Sequence, residues 1–125
     1  MMPLNIFAKV APLLRETKFN NDSASIIDFL GKYHLGDWIY PSALHRELKL
    51  DIKSVYELLE LCAEEGIIEQ YLQIYCPECQ RFIGSYYKTL LEIPETVNCL
   101  HCDTEITNPL QHAVIIYRVK NNEQR

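Results

Sequence analysis

Cys76-Pro77-Glu78-Cys79 and Cys99-Leu100-His101-Cys102 are the residues of this chain whose type and spacing are best suited to chemistry: two C-x-x-C units with nineteen residues between them. Two residues between cysteines let both thiolates of a tight turn meet one ion at about 2.3 Å, and a second such turn completes a tetrahedral set. Four thiolates leave no coordination position for an activating water, so the expected group is one structural Zn2+ held by Cys76, Cys79, Cys99 and Cys102. A redox dithiol, and an iron site or unbound thiols, are the competing readings. Gln80 and Asp103 follow the two pairs, where turns of this kind often carry glycine.

The remaining reactive side chains carry little. His101 sits inside the second pair, where four thiolates already satisfy an ion, and is expected to point outward. His34, His45 and His112 are far apart in sequence and have no neighbouring nucleophile or carboxylate pattern. Cys62 falls at helical spacing with Val55, Leu58 and Leu59, which suits a small buried hydrophobe. The chain holds no G-x-x-x-x-G-K-[ST] loop, no G-x-S-x-G elbow and no H-E-x-x-H helix, so no catalytic residue, small-molecule substrate or enzymatic activity is expected.

These cysteines need a scaffold. Arg81–Lys88 and Ala113–Val119 are rich in strand formers and predict the strands of a small antiparallel β zinc ribbon over residues 75–120. Such a segment buries too little apolar surface to fold unaided, so metal binding should supply much of its folding free energy. Tyr71, Tyr75, Tyr86, Tyr87 and Tyr117 fall in the predicted strands; packing is their commonest use, and an interface or base stacking the next.

Upstream, residues 1–20 suggest a short, loosely held helix or arm: Ile6, Val10, Leu13 and Leu14 recur at helical spacing, interrupted by Pro12. Asn20-Asn21-Asp22-Ser23 reads as a linker ending in a helix cap. Ile26, Ile27, Leu30 and Tyr33 then mark a helix over 23–35 closed by Gly36. Asp37-Trp38-Ile39-Tyr40 is an extended stub before a second helix starting at Pro41-Ser42. Asp51 caps a third helix that ends at Gly66, and Ile67–Tyr75 is a strand running into Cys76.

That order over residues 21–74 resembles the winged helix-turn-helix. The resemblance is carried by Tyr40-Pro41-Ser42-Ala43-Leu44-His45-Arg46-Glu47-Leu48 as the middle helix. Asp51 to Ile68 is similar to the V-x-x-L-L-x-x-L-x-x-x-G-hydrophobic third helix and the approach to the wing. A winged helix leading into a zinc ribbon is also the layout of the N-terminal region of the archaeal and eukaryotic transcription factor TFE/TFIIE-alpha, as a similarity of architecture. The expected fold is therefore α+β: a three-helix winged helix-turn-helix, a ribbon, and a disordered tail at 121–125.

Charge decides between the partners this architecture implies. The formal net charge of −5 is uneven: +2 over residues 1–19, −5 over 20–66 and −2 over 67–125. In a DNA-reading winged helix the third helix meets phosphates. Here its outward face would present Lys53, Tyr56, Glu57, Glu60 and Glu64, while Glu60, Glu64 and Glu65 also suit an ordinary solvated face. A larger protein partner docking on Tyr56, Glu57, Glu60 and Glu64 or on the ribbon is favoured. The alternative is a DNA-binding transcription regulator or accessory factor using Lys53, Ser54, Arg81 and Lys88.

Five cysteines, four of them in C-x-x-C pairs, with no apolar run near the ~18 residues of a membrane span and no signal-peptide pattern, suit a metal site in the reducing cytoplasm. No membrane partner is expected, and the sequence leaves the oligomeric state open.

Overall fold

Pro12 divides the N-terminal apolar stripe. The computed structural model, which describes residues 6–120, has a 3₁₀ turn over Ile6–Val10 and then helix α1, Ala11–Arg15, with the proline in its first turn. There its missing N–H costs nothing. This arm is not loosely held: Phe7, Val10 and Leu14 are fully buried and Phe19 nearly so. Thr17 turns the chain, its hydroxyl donating to the Leu14 carbonyl at 2.8 Å and accepting from the Phe19 N–H at 3.1 Å.

Helix α2, Ser23–Leu30, starts where expected but takes no bond from an Asp22 side chain; a 3₁₀ turn over Asn20–Asp22 leads into it instead. It also ends five residues earlier than the 23–35 expectation. The Lys32 and Tyr33 amides reach back only three residues, to Phe29 and Leu30, and the chain tightens into turns. Gly36, at φ +88°, then aims its N–H at the Val119 carbonyl, a demand set by a distant strand.

Strand β1, Trp38–Ile39, is the predicted stub. Helix α3, Pro41–Leu48, begins on its proline and stops at Lys49, which is left-handed at φ 58°. Helix α4, Ile52–Glu64, is capped as its sequence predicts: an Asp51 carboxylate oxygen accepts from the Ser54 N–H at 3.3 Å and the other accepts from the Ser54 hydroxyl at 2.6 Å. These bonds to the charged form hold the Asp51 carboxyl below its ordinary value. Val55, Leu58, Leu59 and Cys62 form the buried stripe, and burial pushes the Cys62 thiol up to about 12, consistent with an inert core residue. α3 packs on α4, α1 on α2, and the first 3₁₀ turn on both α2 and α4.

The strands are β2 (Ile68–Tyr75), β3 (Phe82–Tyr87), β4 (Val97–Asn98), β5 (Glu105–Ile106) and β6 (Ala113–Val119). One sheet has the order β1-β6-β2-β3 and a second consists of β4 and β5, so the chain is mixed helix and sheet. Over the described residues it divides into two compact units, 6–69 with 117–120, and 70–116. This departs from expected boundaries at 20/21 and 74/75, because the arm is part of the first core. The end of β6 also returns to that unit, where Ile39 pairs with Tyr117 and Trp38 with Arg118. β6 is therefore more than a ribbon strand. The expected tail at 121–125 lies outside the described residues.

Candidate metal centre

Each C-x-x-C pair is delivered by a strand and closed by the same pair of backbone hydrogen bonds. β2 ends at Tyr75 and hands over Cys76, whose N–H donates to the Arg81 carbonyl at 2.7 Å while the Gln80 N–H donates back to the Cys76 carbonyl at 2.9 Å. β4 hands over Cys99 in the same way: its N–H donates to the Thr104 carbonyl at 3.0 Å, and the Asp103 N–H donates to the Cys99 carbonyl at 2.8 Å. β5 then pairs back on β4, Asn98 with Glu105 and Val97 with Ile106. Gln80 and Asp103 stand at φ 61° and 62°, the left-handed conformation glycine ordinarily supplies in such turns. The lack of glycine in the sequence therefore leaves the two turns alike.

The turns bring four sulfurs together. Cys76 Sγ lies 3.6 Å from Cys102 Sγ, Cys79 Sγ lies 3.6 Å from Cys99 Sγ, and all four fall within 4.8 Å of one another. Metal–sulfur bonds of about 2.3 Å in a regular tetrahedron require sulfurs about 3.8 Å apart, so the four residues fit a metal ion. His101 is exposed and outside this cluster; its backbone N–H donates to Cys99 Sγ at 3.4 Å.

The thiols of the cluster differ in protonation. The Thr104 hydroxyl, 3.1 Å from Cys102 Sγ, and the Thr104 backbone hold the Cys102 thiol down at about 6. Removal from water, followed by the Cys99 thiol, pushes Cys79 up to about 12. Adjacent thiols in one site resist carrying four negative charges together, and a cation is what relieves that repulsion.

The site is also part of a core. Cys76 and Cys99 are buried with Ile74, Ile83, Val97 and Ile106, against partly buried Tyr87, Ile93 and Ala113. β3 contributes through an irregularity: Gln73 pairs with Tyr86 and Tyr75 with Phe82, which leaves extra residues around Gly84. Gly84 stands at φ +108°; the Leu100 amide of the second turn donates to the Ile83 carbonyl at 3.1 Å, and the Leu100 side chain fills the place a Cβ at 84 would take. The sequence shows Gly84 only as a glycine inside a strand pattern, a signal for such a bulge.

On α4, Lys53, Glu57, Glu60 and Glu64 are exposed and Tyr56 is half-buried, but two of the carboxylates have partners: Glu57 is ion-paired with Lys18, and Glu60 accepts from the Tyr117 hydroxyl at 3.4 Å. Ser54 is only 6% exposed and its hydroxyl serves the cap. Arg81 and Lys88 are exposed in the second unit, with the Lys88 ammonium 6.0 Å from the Tyr71 ring centroid. The tyrosines of β2 and β3 meet edge to face, Tyr71 with Tyr86 at 5.2 Å and Tyr75 with Phe82 at 5.7 Å, and Tyr117 is buried. His45 Nδ1 lies 2.6 Å from the Leu50 carbonyl, and His34 is beside Asp37, each in a local contact.

Sequence reasoning passed over Leu90, Leu91 and Leu110, exposed by 58%, 96% and 58%. Their signal was available: two consecutive leucines and a third, all outside any predicted strand. Among the described residues no helix is long and apolar enough to cross a membrane. A scan against protein-family models, a search of curated proteins and a search of solved structures each return no match.

Proposed function

We propose that the chain is a non-enzymatic protein-interaction module, an adaptor or regulatory subunit, in which a winged helix-turn-helix carries a ribbon stabilised by one structural Zn2+. The order α2, β1, α3, α4, β2 supports the winged-helix reading, and the twin turns with four converging sulfurs support zinc. The observation that carries the function is the exposure of Leu90, Leu91 and Leu110 in the unit that carries the four cysteines. Apolar side chains gathered on a surface mark interaction sites when they lie together.

Charge favours protein over nucleic acid as the partner. Residues 70–116 hold Arg81 and Lys88 against Glu78, Glu92, Glu95, Asp103 and Glu105, and a zinc ion with four thiolates adds a further net −2. On α4, neutralisation of Glu57 by Lys18 still leaves Glu60 and Glu64 facing outward. Both surfaces repel phosphates.

The test is a tagged pull-down of the zinc-loaded chain with mass spectrometry, beside a duplex-DNA assay at physiological salt. A partner retained by the wild type and lost from Leu91→Asp supports the module. Salt-sensitive submicromolar DNA binding with no such partner refutes it and favours a DNA-binding transcription factor.

A further inference from the structure

Two concavities meet at one exposed residue of the second unit. The first, of about 540 Å³, lies between Ile93–Thr96 and Thr107–Gln111. The second, of about 460 Å³, is lined by Leu72, Lys88, Leu90, Ala113 and Ile115. Leu110 belongs to both. Each is within the ~300–1,000 Å³ range of clefts that hold ligands.

Local bonds hold the walls. The 3₁₀ turn over Leu90–Glu92 is tied by the Lys88 N–H donating to a Glu92 carboxylate oxygen at 2.9 Å. The turn over Pro109–His112 is tied by the Asn108 side-chain amide donating to the Gln111 side-chain carbonyl at 2.9 Å and by the Gln111 N–H donating to the Asn108 carbonyl at 3.0 Å. A groove already shaped this way loses little conformational freedom when it is filled.

Charge selects the occupant. Glu95 is the one charged side chain among the residues lining the first concavity, and no base lines it. The second has only Lys88, whose ammonium is over the Tyr71 ring. The surrounding unit is net acidic, so anionic lipid, nucleic acid and acidic peptides are all repelled. Resting on the protein-interaction reading above, we propose that this double groove binds a peptide segment of a partner protein, one that seats large apolar side chains on either side of Leu110 and sets a lysine or arginine against Glu95.

The test is to pan a library of random linear peptides against the zinc-loaded full chain, then measure each enriched peptide by fluorescence anisotropy against the wild type, Leu110→Ser and Glu95→Lys. Both substitutions are at exposed positions, and unchanged zinc content and melting confirm intact variants. Enriched peptides should combine leucine, isoleucine or phenylalanine with lysine or arginine, and should bind each variant on the order of tenfold more weakly. Peptides that bind the variants as tightly as the wild type overturn the groove while leaving the module reading intact. An acidic consensus overturns the charge assignment, and no enrichment at all overturns the groove while the pull-down decides the module reading separately.

Discussion

Leu100 of the second cysteine turn closes over Gly84 of β3 so tightly that a Cβ at residue 84 would stand 2.7 Å from Leu100 Cδ1. That contact joins the strand following the first cysteine pair to the turn that holds the second. Gly84→Ala must hold alanine at φ +108°, while the exposed Leu100 side chain can swing aside, so a destabilisation of about 1–3 kcal/mol from backbone strain is expected in chemical denaturation. Adding Leu100→Ala leaves that strain in place, so the double variant should recover little of the loss. A Gly84→Ala protein as stable as the wild type would remove Gly84 from the account of the site.

The purified chain should carry one zinc per molecule by elemental analysis, and Cys76→Ser or Cys99→Ser should abolish it. Because a core of six buried residues includes two of the ligands, chelation should collapse the amide dispersion of residues 70–116 while helical circular dichroism persists. Zinc affinity should fall as pH falls, since protons compete for the thiolates. An unchanged melting curve after chelation contradicts a structural role for the metal.

Those cysteines show what local sequence can and cannot convey. The C-x-x-C spacing, the Asp51 cap and the stripe of Val55, Leu58, Leu59 and Cys62 depend on residues within a few positions of one another, and each was legible. The early end of α2 was marked by Gly31, its C-cap residue, but the apolar stripe that runs on to Tyr33 overrode that signal. The double membership of β6, whose final residues pair with Trp38 and Ile39, was not legible. The short β4–β5 pair that frames the second turn has only two residues per strand, too few for an alternating pattern to register. Glu57 and Glu60 looked like a free acidic face because Lys18 and Tyr117, which engage them, are remote in sequence.

The N-terminal arm should prove integral to the first unit. Phe7 is fully buried where the first 3₁₀ turn meets α2 and α4, so Phe7→Ala should cost about 3–5 kcal/mol in denaturant titration. A loss under about 1 kcal/mol would restore the picture of a loosely attached arm.

Tyr117 predicts an alkaline limit. Burial first, and then the negative charge of the Glu60 carboxylate, which accepts a hydrogen bond from the hydroxyl, raise the folded-state pKa well above the ordinary 10.0. The folded chain thus keeps a proton that the unfolded chain releases. The resulting stability is fully present below pH 10 and is lost as pH rises through the folded value. Tyr117→Phe should flatten that alkaline limb, and melting temperatures across pH 8–11 should show it. An identical alkaline decline in the variant would place its origin elsewhere.

Gln80 and Asp103 hold side chains in a conformation that ordinary residues adopt only at a cost of about 1–3 kcal/mol. A protein engineer would therefore find untapped stability there: Gln80→Gly and Asp103→Gly ease the strain without touching a ligand. The two turns would then resist chelators longer, at positions where the natural chain has settled for less than its geometry permits.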